Sequence, residues 1–276
     1  MYREPRGSLY HPHKGETISI GTMVEDYERP EWTFNKLLYI EKEGFSEALK
    51  ANRWAERHDC ALMSTKGFTT RAARDLVDKL AAHDEPVTVF CVHDADAAGS
   101  MIFQTFQEET KARGARKIAI VNLGLEPWEA LAMGLEVETV EDGEKKRAVA
   151  DYVRERRDRN WDEWLQRHRV EINAMTTPAF IAWLDAKMAA HGSGKLVPPD
   201  DVLMDEWHDR LEKQVRKDIT TRILREAGLE DRVAEALEAI RKPTATDLAK
   251  GIRKSFKDEP EAEWRTYIEV TVKERL

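Results

Sequence analysis

The chain has 276 residues, 41% apolar and 35% charged, with a net charge of −8 and two cysteines. That is length enough for one large core or two modest ones under a heavily solvated surface. The balance argues against a disulfide-stapled secreted domain and against a protein that grips nucleic acid by bulk positive charge. No apolar run is long enough to span a bilayer and no signal-peptide core is visible, which points to the cytoplasm and away from a membrane.

Residues 1–35 are rich in Pro, Gly, His and charge, and read as an extended N-terminal arm with room for one hairpin. The opening Met1-Tyr2-Arg3-Glu4-Pro5-Arg6-Gly7 has no helix or strand pattern and reads like the middle of a longer sequence. Regular alternation then begins. Leu37–Ile40 is a short apolar run suited to a strand buried on both faces, and Phe45–His58 has helical spacing. Cys60–Met63 is a second strand, and its cysteine, like Cys91, reads as a buried reduced thiol. Thr70–Ala82 predicts a helix with Leu76, Val77 and Leu80 on one face. Val87–Val92 predicts the third strand, a helix follows from about Ala98 to Arg113 and stops at Gly114, and Ile118–Val121 is the fourth strand.

Strand and helix alternating in this way give an α/β fold, a parallel sheet with helices on both faces. We expect that domain to span 36–140, a helical extension to follow at 141–192, and a helical C-terminal domain to occupy 193–276 beyond the linker His191-Gly192-Ser193-Gly194. In the last part Leu203, Trp207, Leu211, Val215, Ile219 and Ile223 recur every fourth residue. Such a stripe is usually core and can also dock onto a neighbouring chain. The charge run at 144–159 reads as a solvated face.

Ligands of parallel sheets collect outside the carboxyl ends of the strands, and three acids fall there. Glu41 ends the first strand; Asp94 and Asp96 follow the third, in Val92-His93-Asp94-Ala95-Asp96-Ala97-Ala98-Gly99. Two residues apart in an extended segment, Asp94 and Asp96 point to one side. The small residues beyond them leave room for a ligand and bring a helix N-terminus close. Crowded carboxylates repel, and a hard divalent cation with oxygen-ligand preference, Mg²⁺ above all, removes the conflict. Asp96 could equally serve as a helix cap. The third acid, Glu41 at a second strand end, favours the metal.

These residues carry a resemblance. A strand ending in Glu-Lys (Leu37 to Lys42), then Lys66-Gly67 with Arg74 further on, then a strand running into Asp94-Ala95-Asp96 and Gly99, resembles the Toprim domain of the topoisomerase VI A-subunit and meiotic double-strand-break family. Val170-Glu171-Ile172-Asn173-Ala174-Met175 is similar to that family's Glu-containing segment, so the likeness runs from 37 to about 188. The resemblance implies a Toprim fold, Mg²⁺ as cofactor and DNA as substrate. It makes Glu41, Asp94 and Asp96 the catalytic acids and metal ligands, and Lys42, Lys66 and Arg74 candidates to face DNA phosphates; for Lys42 and Arg74 ordinary surface charge reads equally well. The partners it implies are a second copy of the chain and a B-type ATPase subunit.

The function implied is Mg²⁺-dependent DNA strand cleavage or topology change, as in the Toprim half of a type IIB topoisomerase. The alternatives are a stand-alone Toprim nuclease, a non-catalytic nucleic-acid-binding module, and a phosphotransferase of another doubly wound fold. Family members place a tyrosine on a winged-helix domain ahead of the Toprim strand, and nothing of that size lies between Met1 and Glu41. The nucleophile is therefore unknown. Tyr10, in Arg6-Gly7-Ser8-Leu9-Tyr10, mimics the tyrosine motif only loosely, and the proline and aromatic that follow the family's Asp-x-Asp are replaced by Ala97 and Ala98.

Overall fold

A computed structural model describes residues 7–20, 27–65, 71–82, 87–107, 118–141, 146–191, 194–258 and 263–275. The chain divides into two compact units, Met1–Pro198 and Pro199–Leu276.

The first unit is built on a six-stranded sheet. Strand β1 (Gly7–His11) and β2 (Glu16–Ile20) form a hairpin, and β3 (Lys36–Ile40) follows. Helices α1 (Glu43–Ala51) and α2 (Trp54–His58) then lead to β4 (Cys60–Thr65), and α3 (Arg71–Ala81) to β5 (Thr88–Val92). Helix α4 (Ala97–Gln107), β6 (Ala119–Gly124) and α5 (Pro127–Ala132) complete the alternation. The strand order is β2-β1-β4-β3-β5-β6. Strands β4, β3, β5 and β6 run parallel, and β1 is antiparallel to both β2 and β4. The expected α/β class with its parallel sheet is borne out. The hairpin makes the sheet mixed, because residues 7–20 of the arm add two strands to its edge.

The apolar runs are continuous because both faces of the sheet are covered. Leu38, Ile40, Leu62, Phe90 and Val92 face one core with Leu49, Trp54, Phe180 and Leu184. Their neighbours Leu37, Tyr39, Ala61, Met63, Val89 and Cys91 face the other, with Leu76, Val77, Ile102 and Phe106. This two-residue alternation is the pleat of each strand read as burial. Cys60 and Cys91 are buried free thiols.

The segment Phe45–His58, expected as one helix, is two. Arg53 sits in the left-handed region at φ 52° and starts α2 afresh. The turn seats Trp54, fully buried, with its indole N–H donating to Asp185 Oδ1 at 2.6 Å.

Beyond α5 the chain forms a short β7 (Glu138–Thr139), α6 (Asp151–Glu155), α7 (Trp161–Arg167) and β8 (His168–Arg169), which pairs back onto β7. The charged run does not make a wholly solvated face. Val149, Ala150, Val153, Trp161 and Leu165 close a third cluster around Ala97, with Trp128 packed against it. A 3₁₀ turn at Ile172–Ala174 and helix α8 (Thr177–Ala190) finish the unit.

The second unit is helical: α9 (Asp200–Glu226), α10 (Leu229–Ala239), α11 (Ala245–Asp258) and α12 (Trp264–Lys273). Gly251 lets Tyr267 of α12 approach α11 so closely that a side chain there would strike its ring. No residue of these four helices is buried, and Leu203, Trp207, Leu211, Val215, Ile219 and Ile223 all stand exposed along α9. No helix among the described residues is long and apolar enough to cross a membrane.

Candidate metal centre at the carboxyl edge of the sheet

The site is assembled by sheet register. Strands β3 and β5 are adjacent, pairing Lys36 with Thr88 through to Ile40 with Val92. One step beyond that pairing Glu41 leaves β3 and His93 leaves β5, and Asp94 and Asp96 come next. The loop is pinned from its other side by residue 170. Ala95 N donates to Val170 O at 2.9 Å and Val170 N returns the bond at 3.1 Å. This bridge carries Glu171 into the same pocket, across 129 residues of sequence from its partner Lys42.

Each carboxylate has a distinct environment. Asp94 is buried; its Oδ1 accepts from Ile172 N at 2.8 Å, and its Oδ2 meets Lys42 Nζ at 2.8 Å. Lys42 Nζ also donates to Glu171 Oε2 at 2.8 Å, so one ammonium bridges two acids. Burial works against that charge, and the hydrogen bonds to Asp94 and Glu171 outweigh it, holding the Lys42 pKa above its ordinary value. The Lys42 bond, with Arg169 and Asn173 beside it, keeps Glu171 below the usual carboxylate range. Asp96 Oδ1 accepts from Gly99 N at 2.5 Å, capping α4, and burial and Asp94 still push its pKa up. The capping role that the sequence offered for Asp96 is therefore filled, on one of its two oxygens. Glu41 is pushed up to about 7, first by burial and then by the charges of Asp94 and Asp96. Those acids share one electrostatic neighbourhood.

Gly99 is required by this packing. A side chain there would run into the Asp94 carbonyl oxygen, with His93 and Asp96 also in the way. Behind the loop lies a buried polar network. His93 Nδ1 faces Asp94 O at 2.8 Å and its Nε2 faces Asn122 Oδ1 at 3.1 Å. Asn122 Nδ2 and Tyr152 OH both donate to Glu126 Oε1, at 2.6 and 3.1 Å. The network fixes the backbone that presents Asp94.

Among the described residues no group of three or more His, Cys, Asp or Glu is drawn together tightly enough to hold a metal as it stands. The donor set nevertheless fits a hard cation: all oxygens, with Glu41 and Asp96 raised first by burial and then by the charge of Asp94, and with one oxygen of Asp94 held by a lysine. Sequence reasoning singled out Glu41, Asp94 and Asp96 and marked Glu171 only as part of the segment 170–175 that is similar to the family's; it gave no role to the network of Asn122, Glu126 and Tyr152. A polar Asn122 inside an otherwise apolar strand was the available signal.

Arg74 lies on α3, half-buried, with its Nε buried and unpartnered. Lys66 falls outside the described residues. Tyr10 lies on β1 and its hydroxyl donates to Glu56 Oε1 at 2.6 Å. Glu56 is on α2, which leads into the amino end of β4, the opposite edge from the acids.

The profile of the Toprim domain of the topoisomerase 6 A-subunit and Spo11 matches residues 36–184. The chain belongs to the topoisomerase 6 A-subunit/Spo11 family. This is a family of DNA cleavage and DNA topology, and its Toprim domain here covers the sheet from β3 onward and reaches into α8. The A-subunit of type 2 DNA topoisomerase 6 from Methanocaldococcus jannaschii is 38% identical over 73 residues, which is 26% of this chain and 19% of that protein. The chain therefore aligns with a fifth of that relative's length.

Proposed function

We propose that this Toprim domain binds Mg²⁺ on Glu41, Asp94 and Asp96 and supports strand cleavage in DNA, as the topoisomerase-type half of a cleavage centre. The observation that carries the reading is the gathering of Glu41 and Asp96 beside Asp94 at the ends of the paired strands β3 and β5, where burial first and the charge of Asp94 second raise both carboxyls, a cost that a divalent ion would reverse. When bound, the ion supplies charge stabilisation at a phosphate oxygen. Asp94, fixed by the Ile172 N–H, holds one oxygen toward the pocket; Asp96 keeps its second oxygen free while the first caps α4. Glu41, with a pKa near neutrality before metal enters, is suited to hold or hand over a proton at the departing or attacking oxygen. Lys42 and Arg74 supply positive charge for the phosphate backbone, with Lys66. The nucleophile comes from a tyrosine on another segment or chain, and the partners that follow from this reading are a second copy of the chain and an ATPase subunit.

The test is incubation of supercoiled plasmid with the protein and MgCl₂ or MnCl₂, followed by denaturation. Metal-dependent nicking that leaves protein covalently attached to DNA supports the topoisomerase-type reading. Nicked DNA with free ends and no adduct assigns the chemistry to water and makes the domain a nuclease. Binding of DNA with no nicking under either metal, in the presence of a tyrosine-bearing partner, would refute the catalytic reading.

A further inference from the structure

We propose that Lys42 is the resident counter-cation of the carboxylate site, and that Mg²⁺ enters by displacing its ammonium from Asp94. The inference rests on the metal reading above. Asp94 has two oxygens. One is held by a backbone N–H that cannot move without unpicking the Ala95–Val170 bridge, and the other is held by Lys42 at 2.8 Å. A divalent ion can use only the second. An ion at about 2.1 Å from that oxygen would stand within a few ångströms of an ammonium, and two like charges in a half-buried pocket exclude each other.

The geometry supplies the exit. Lys42 is anchored at the start of α1 on a flexible four-carbon stem, and its side chain is 38% exposed while Asp94 is 8% exposed. The lysine can swing to solvent, or to a nearby DNA phosphate, without moving the backbone that presents Asp94. Glu171 is the second half of the device. Its carboxylate holds the same ammonium at 2.8 Å and is itself tied to Arg169 at 3.2 Å and Asn173 at 2.9 Å, so the lysine has a partner to keep when Asp94 is taken. In the metal-free protein the ammonium offsets the repulsion among the clustered acids; in the loaded protein the ion does so. Lys42 is thus a positioning residue whose role reverses on loading.

The probe is Mg²⁺ alone, titrated calorimetrically into the full chain near neutral pH and low salt. Lys42→Met binds Mg²⁺ at least tenfold more tightly than the unaltered protein, because nothing has to leave. Lys42→Arg, which keeps the charge and adds a two-pronged grip on the acids, binds no more tightly than the unaltered protein and covers the case in which the methionine variant does not fold. Amine acylation read by mass spectrometry gives a second measure without any substitution: Mg²⁺ raises labelling of Lys42 at least threefold relative to Lys146. Equal or weaker Mg²⁺ binding by Lys42→Met, or Lys42 labelling that Mg²⁺ leaves unchanged, overturns the displacement while leaving the metal site intact. Absence of Mg²⁺ binding in the unaltered protein and both variants overturns the metal reading and the displacement together.

Discussion

Replacing Glu41 by Gln in the metal-free protein should raise stability at alkaline pH and leave it unchanged in acid. The carboxyl moves from its ordinary 4.5 to about 7 on folding. At 1.36 kcal/mol per tenfold change, that difference corresponds to about 3 kcal/mol between the two protonation states. Glu41 is only partly buried, so solvent screening leaves roughly half of it. The sign follows from proton binding. Between pH 4.5 and 7 the folded chain holds a proton that the unfolded chain releases, so the contribution to stability is complete below 4.5 and lost as pH rises through 7. Glutamine carries no such cost. In EDTA at pH 8 the variant should melt about 3–6 °C higher than the parent, on a scale of 2–4 °C per kcal/mol for a domain of this size; at pH 4 the two should coincide. Saturating MgCl₂ should reverse the order, because the parent then gains binding energy that the variant lacks. Thermal melts under these conditions decide it. A variant that melts at or below the parent at pH 8 in EDTA would show that neither burial nor the neighbouring acids penalise the ionised Glu41, and the argument for a cation site at this edge would fail.

Asp94→Asn keeps an oxygen for the Ile172 N–H and loses the charge, so metal-dependent plasmid nicking should fall at least about 100-fold while the melting temperature stays close to the parent's. Gly99→Ala should cost roughly 3 kcal/mol or more, since its methyl group meets the Asp94 carbonyl rather than a flexible side-chain end; the check is a melting temperature lower by about 6–12 °C. Asp185→Ala removes the acceptor of the buried Trp54 indole and of His58, and should destabilise by about 1–3 kcal/mol in denaturant unfolding, with Asp185→Asn closer to the parent.

The four parallel strands were legible because each is a short apolar run buried on both faces, and such runs contrast sharply with the charged helices between them. The hairpin was anticipated within the arm, but its place in the sheet was not. Gly7-Ser8-Leu9-Tyr10-His11 is half polar, and its place in the sheet depends on pairing with β4 more than 50 residues on. The break between α1 and α2 was hidden in a sequence of helix formers, because the cause is tertiary: the seat of Trp54 under Asp185 outweighs local propensity. At the site, Glu41, Asp94 and Asp96 stood out because a strand end is a marked position. Their partners did not. Nothing local in Glu-Lys says that the lysine reaches Glu171 on a segment delivered by the bridge from Val170, and nothing in the charge run at 144–159 says that Val149, Ala150 and Val153 turn inward.

The acids hang from β3 and β5, the two strands at the centre of the parallel block, and their alignment is inherited from that pairing. A slip of one residue between those strands would turn their alternating side chains inside out and carry Glu41 away from the aspartates at once. The pocket has no hinge of its own on this side. Loosening it means melting the middle of the sheet, so amides of residues 37–40 and 89–92 should be among the last to exchange with deuterium, and the placement of the three acids is as durable as the fold.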